Sequence, residues 1–208
     1  MTQNFHGFQN IKIDRMKSCL FPKLNNYKSV DYNIKCFKKL SILTIFMFIS
    51  FSAFSQYRNA VFDEYIQNYK EWAIYHMYKY KIPASITLAQ AILESGGGTS
   101  PIAVYANNHF GIKDKPEWKG EVITNPNDGQ LYRKYSSIEN SYEDHSLFLT
   151  QRPWYKSLFN LNITDYKGWA IGLQKAGYAV DKSYPQKLIR IIETYQLYIY
   201  DQALVANN

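Results

Sequence analysis

Glu94 is the side chain whose position most needs a chemical reason. It follows an apolar stripe of Ile86, Ala89, Ile92 and Leu93 and stands just before the run Gly96-Gly97-Gly98. A stripe at that spacing is helical, and a glycine run after it ends the helix. The carboxylate therefore meets the negative end of a helix dipole and apolar surroundings, both of which disfavour its charged form. A carboxyl group whose pKa is pushed upward keeps its proton near neutral pH, as a general acid must. The glycines carry no side chains and accept unusual dihedrals, so a bulky ligand can come close. The same pattern also fits an ordinary last-turn glutamate before a C-cap glycine, and local pattern alone leaves both readings open.

Other chemistry is less well marked. His76, His109 and His145 lack the spacing of a metal cage, and His109 is read as a loop residue beside a cleft. The triple glycine follows a helix rather than a strand, which argues against a phosphate-binding loop. No metal and no cofactor are implied. Trp72, Trp118, Trp154, Trp169 and many tyrosines offer faces suited to the apolar faces of sugar rings. Most of these rings are expected in the core.

The elements that must position Glu94 follow from periodicity. Val61, Tyr65, Tyr69, Trp72, Met77 and Tyr80 predict an amphipathic first helix, and Pro83 restarts the chain for the helix that carries Glu94. Two short β-prone runs, from Glu121 to Thr124 and from Leu131 to Tyr135, flank Asn125-Pro-Asn-Asp-Gly129 and read as a hairpin. Ser136 and Glu139 resemble a capping box for a helix through about Thr150. Thr164 or Asp165 opens another helix that ends near Gly177, and Ser183 with Pro185 opens a last one. The expected fold is mainly α with one small β-hairpin, without internal repeats or a second folded module.

Charge and cysteine divide the chain. Residues 1–55 hold eight Lys/Arg and two Asp/Glu, so they carry +6 of the formal +7, and the remaining residues carry +1. The body thus offers no basic footprint for nucleic acid. Cys19 and Cys36 both lie in the leader, so the body has neither an internal disulfide nor a thiolate nucleophile. Lys38 and Lys39 precede an apolar run, Leu40 to Phe54, which ends in Ala53-Phe54-Ser55. That order describes a signal peptide with a long basic n-region over residues 1–55, cleaved before Gln56, with the catalytic domain over 56–208. The run is shorter than the roughly twenty residues of a full span, so stable membrane association is not expected after cleavage. Met16 offers an alternative start.

Five blocks in order carry a family resemblance: Ala89-Gln-Ala-Ile-Leu-Glu94-Ser-Gly96-x-Gly98; Asn107-Asn-His-Phe-Gly-Ile-Lys113; Trp118-Lys-Gly120; Tyr132-Arg-Lys-Tyr135; and Ala176-Gly-Tyr-Ala-x-Asp181-x-x-Tyr184. Over about residues 58 to 200 the chain resembles the glucosaminidase family, glycoside hydrolase family 73. The resemblance implies a lysozyme-like helical fold with a β-hairpin lobe and hydrolysis of the β-1,4 bond after N-acetylglucosamine in peptidoglycan. It implies Glu94 as general acid and a second carboxylate in the hairpin, where Asp128 and Glu121 are the candidates. Asp128-Gly129 is equally an ordinary turn dipeptide. Tyr178 and Tyr184 match aromatics facing the family's cleft, and Asn107, Asn108 and Phe110 match its post-helix loop. All five are expected to bind substrate.

Two departures from the family pattern stand out. The family often has tryptophan at Gly97 and threonine at Val180; both are read as changes in packing or subsite contact. The expected protein is an exported, monomeric endo-β-N-acetylglucosaminidase acting on glycan strands in the periplasm or the extracellular wall, the substrate's acetamido group being an alternative to the second carboxylate. A lytic transglycosylase, which leaves anhydro-muramic ends, and a non-catalytic glycan-binding wall protein are the alternatives.

Overall fold

The structure, a computed structural model, describes residues 58–205; the leader read as an export signal lies outside them. The first helix, α1, runs Ala60–Tyr80, with Asn59 accepting from the Val61 N–H as its N-cap. α2 spans Ala84–Ser95 and is buried without a break from Ala84 to Ile92. A helix apolar on all sides belongs at the centre. It packs against α1, against α5 (Tyr166–Lys175) and α6 (Tyr184–Tyr195), and against the 3-10 turn Leu197–Ile199. α4, Ile138–Gln151, lies on the other flank of α1.

α2 begins at Pro83, which offers no side-chain cap. Asp201, fully buried near the chain's end, caps it instead: its carboxylate accepts from the Ser85 N–H at 2.9 Å and from the Ser85 hydroxyl at 2.6 Å. These bonds satisfy donors that a helix start would otherwise leave orphaned.

At the other end of α2 the glycine run does what glycine permits. Gly97 has φ +68°, and its N–H closes the helix on the Ile92 carbonyl. A Cβ there would stand 2.7 Å from the Phe62 ring of α1. Phe62 therefore occupies the space in which the family's tryptophan would start, which is the packing reason for the departure at this position. Gly97→Ala is expected to destabilise the domain by about 2 kcal/mol through left-handed strain and overpacking. Melting of Gly97→Ala, Phe62→Ala and the double variant checks this, because strictly additive losses would mean that the two positions do not clash.

The hairpin forms where its turn residues predict it. β1, Val122–Thr124, pairs antiparallel with β2, Leu131–Arg133, in the register Ile123 to Tyr132. Ile123 and Tyr132 turn inward onto Ile102 and Ala106 of α3, Pro101–Ala106. Arg133 is buried and locks the hairpin to α4 through Asp144, with both contacts at about 3 Å. Its guanidinium also lies over the Trp118 ring.

The helix starts need one correction. α4 is capped by Ser137, whose hydroxyl accepts from the Asn140 N–H, rather than by Ser136. Two adjacent serines are equivalent as letters, and only the chain's path selects one. Of the two candidates Thr164 and Asp165, it is Asp165 that caps α5, accepting from the Gly168 N–H. α3 and the 3-10 segment Pro153–Asn160 were not anticipated. The architecture is mainly helical and lysozyme-like, with one small hairpin.

Candidate active site

Glu94 sits in the last turn of α2, half-buried, on the wall of a cleft of about 720 Å³. Phe110, Gly111, Lys113, Tyr132 and Tyr178 line the same cleft. Burial raises the Glu94 pKa, while the Tyr184 hydrogen bond and the Lys187 charge oppose that rise without overcoming it. The raised pKa matches the sequence expectation, and burial is its cause.

Tyr184, the first residue of α6, donates its hydroxyl hydrogen to Glu94 Oε1 at 3.0 Å. Tyr178 stacks on Tyr184, with ring centroids 5.7 Å apart. Asp181 explains the intervening motif: it accepts from the Ser183 N–H and hydroxyl and pairs with Lys187 at 2.8 Å, shaping the entry to α6. These contacts hold its carboxyl at about 2, well below the usual range. Val180, the other departure, lines the cleft and is fully exposed, touching no core.

The loop after α3 is built by Asn108. Its amide donates to the carbonyls of Ile112 and Arg133 and accepts from the Ile112 N–H, so it ties the loop to the hairpin. Asn108 is buried at the cleft, as is Phe110, whose ring stacks on His145 at 3.9 Å. Gly111 lies against Glu94, where a Cβ would stand 3.9 Å from Oε2. Asn107 takes the left-handed conformation that ends α3, with φ +51°, and bonds the Tyr135 carbonyl. It lines a different cavity, together with Trp118 and Glu121.

The two hairpin carboxylates separate accordingly. Glu121 is exposed, paired with Lys134 at 2.7 Å, and belongs to that second cavity rather than to the cleft with Glu94. Asp128 is exposed at the hairpin tip, where it accepts from the Gln130 N–H at 3.0 Å and the Tyr132 hydroxyl at 2.8 Å. Those bonds hold its carboxyl below its ordinary pKa, so it is charged at neutral pH. It reaches the cleft through Tyr132, which feels the charges of both Asp128 and Glu94. A carboxyl of raised pKa in the wall and an ionised one at the rim can divide acid and base roles between them.

His109 is no cleft residue: it is buried, with Nδ1 bonded to the Tyr65 hydroxyl at 2.6 Å. Behind Tyr184 stand Gln90 and His145, which sequence reasoning does not single out. Gln90 is fully buried one turn before Glu94 and bonds both Tyr184 and His145. A glutamine four residues before the candidate acid, inside an otherwise apolar stripe, was the available signal.

Residues 70–197 match the family model for glucosaminidase, mannosyl-glycoprotein endo-beta-N-acetylglucosaminidase. The chain belongs to the glucosaminidase family. It is 39% identical over 137 residues to the exo-glucosaminidase LytG of Bacillus subtilis, covering 60% of this chain and 48% of LytG. With the peptidoglycan hydrolase FlgJ of Salmonella typhimurium it shares 35% identity over 126 residues, 54% of this chain and 39% of FlgJ. The chain thus spans about half or less of the curated relatives it matches. Among solved structures it superposes on the catalytic domain of the autolysin Auto from Listeria monocytogenes with TM-score 0.59 and 28% identity, over 69% of this chain and 89% of that one. The glycoside hydrolase domain of Salmonella FlgJ gives TM-score 0.55 at 28% identity, over 70% and 96%. The family match spans the helical body and the hairpin together.

Proposed function

We propose that this glucosaminidase-family domain hydrolyses the β-1,4 bond after N-acetylglucosamine in peptidoglycan, with Glu94 as the proton donor. The observation that carries the reading is Glu94 itself, a carboxyl whose pKa is raised by burial beside a sugar-sized cleft. Tyr184 occupies Oε1 as a donor, so the acidic proton resides on Oε2, the oxygen next to Gly111. Protonation of the glycosidic oxygen by Oε2 lets the bond to C1 break as positive charge develops on the sugar. The similarity to the peptidoglycan hydrolase FlgJ supports the substrate class, and that to the exo-glucosaminidase LytG supports the bond. The apolar run in residues 40–54, outside the described residues, supports export to the wall. No helix among the described residues is long and apolar enough to cross a membrane.

Attack at C1 is assigned to the substrate's acetamido oxygen, which forms an oxazolinium ring that water then opens as Glu94 takes back a proton, rather than to Asp128, whose two oxygens are already engaged at the rim. Asp128→Asn is expected to lower kcat by less than about tenfold. A loss as deep as that of a Glu94 variant would instead make Asp128 the base or nucleophile.

Mass spectrometry of peptidoglycan digested by the full chain, with reducing ends tagged by borohydride, tests the reaction. Reduced N-acetylglucosamine ends support it, anhydro-muramic ends would move the domain to the transglycosylases, and binding without new ends would make it a glycan-binding protein. The family description reads endo and the LytG name reads exo. Internal cutting, the reading favoured here, predicts an early fall in strand length rather than steady release of small products.

A further inference from the structure

Three buried side chains, from three helices, join in a single line that ends at half-buried Glu94. His145 Nε2 of α4 lies 3.1 Å from Gln90 Oε1 of α2, Gln90 Nε2 lies 3.1 Å from the Tyr184 hydroxyl of α6, and that hydroxyl lies 3.0 Å from Glu94 Oε1. His145, Gln90 and Tyr184 are all buried, His145 and Gln90 completely.

The direction of each bond follows from the one before it. Burial holds the His145 ring neutral, its pKa pushed down to about 3, so it carries one N–H. His145 Nδ1 is buried and has no hydrogen-bond partner among the described residues. A hydrogen on Nδ1 would be a stranded buried donor, costing about 1–3 kcal/mol. The hydrogen therefore sits on Nε2 and is donated to Gln90 Oε1. Gln90 must then present its amino group to Tyr184, whose oxygen accepts, leaving its own hydrogen for Glu94. With the other imidazole tautomer, Gln90 flips, takes the tyrosine hydrogen on its oxygen, and Glu94 loses its donor. Phe110, stacked on the imidazole at 3.9 Å and 11°, holds the ring in the plane that this line needs.

We propose that His145 and Gln90 are positioning residues whose buried hydrogen-bond line commits Tyr184 to donate to Glu94 Oε1, keeping Oε2 for the proton given to substrate. The proposal rests on Glu94 being the acid. The line ends on Oε1, and neither His145, Gln90 nor Tyr184 lines the cleft, so it orients the acid without touching the glycan.

The tautomer is readable in the unaltered full chain from the 15N shifts of its imidazole nitrogens. A protonated Nε2 and bare Nδ1 at His145 are expected, and the reverse overturns the proposal whatever any variant does. His145→Phe, which keeps the stack on Phe110 but removes the donor, is expected to lower kcat about tenfold with KM unchanged. His145→Gln, which restores an N–H donor, is expected to recover most of it. Gln90→Met breaks the line from another helix and should match His145→Phe, standing in for it if that variant fails to fold. Unchanged kcat in a folded His145→Phe or Gln90→Met variant overturns the proposal while Glu94→Gln remains inactive. An active Glu94→Gln enzyme would instead remove the reading beneath it.

Discussion

Glu94→Gln is expected to lower kcat by about 10²- to 10⁴-fold, the range that a positioned proton donor supplies. The substitution conserves size and keeps an oxygen to accept the Tyr184 hydrogen, so the bond at 3.0 Å can persist. It removes only an acidic proton. Fold and glycan binding should therefore survive, and sedimentation with insoluble peptidoglycan measures the binding directly. Stability supplies a second check with a definite sign. The folded-state pKa of Glu94 is raised, so its contribution to stability is complete below the unfolded pKa and is lost as pH rises through the folded value. At neutral pH glutamine removes that penalty, and Glu94→Gln should melt no lower than the wild type. A variant that is inactive because it has unfolded would not bear on catalysis; an active one would remove Glu94 from the chemistry.

The second large effect is acid destabilisation governed by two buried histidines and opposed by Asp201. Burial pushes His109 to about 4 and His145 to about 3, both below the usual 6.5. In each case the unfolded state binds the proton more readily, so stability is present above the unfolded pKa and falls as pH drops toward the folded one. Between pH 6.5 and 4 each histidine removes on the order of 3 kcal/mol. Asp201 runs the other way. Burial raises it from 3.8 to about 6 against the bonds from Ser85, so its contribution is full below the lower value and lost as pH rises through the upper. It returns on the order of 3 kcal/mol over nearly the same interval. The domain should therefore lose about 3 kcal/mol between pH 6.5 and 4. Urea denaturation of the wild type and Asp201→Asn at several pH values checks this. The variant keeps an acceptor for the α2 start but cannot titrate, so its acid loss should be steeper. Parallel curves for the two proteins would mean that Asp201 does not change protonation on folding.

Much of the fold was legible because its signals are local. The stripe before Glu94 and the glycines after it mark a helix end, and turn residues mark the hairpin from Val122 to Arg133. The start of α5 is legible to within Thr164 or Asp165, because the cap's partner, Gly168, is only three residues beyond Asp165. α3 escaped notice because six residues are too few to show a period. The raised pKa of Glu94 was anticipated on the same local grounds, since helix polarity and apolar neighbours are written along the chain.

What the sequence determined by itself was the set of elements, the family pattern and the carboxyl best placed to hold a proton. Tertiary structure alone decided what surrounds that carboxyl. Adjacent Asn107 and Asn108 face different cavities because Asn107 itself takes the left-handed conformation that ends α3 and turns the chain there. Glu121 and Asp128, equivalent as hairpin acids on paper, stand at different cavities or rims because the strand pairing carries them apart. Phe62 fills the space above Gly97, Asp201 caps a helix 116 residues earlier, and His145 reaches Glu94 only through Gln90 and Tyr184. Periodicity reports which face of a helix is buried. It does not report which residue of another helix comes to meet that face, because such contacts depend on how the helices pack and not on spacing along the chain.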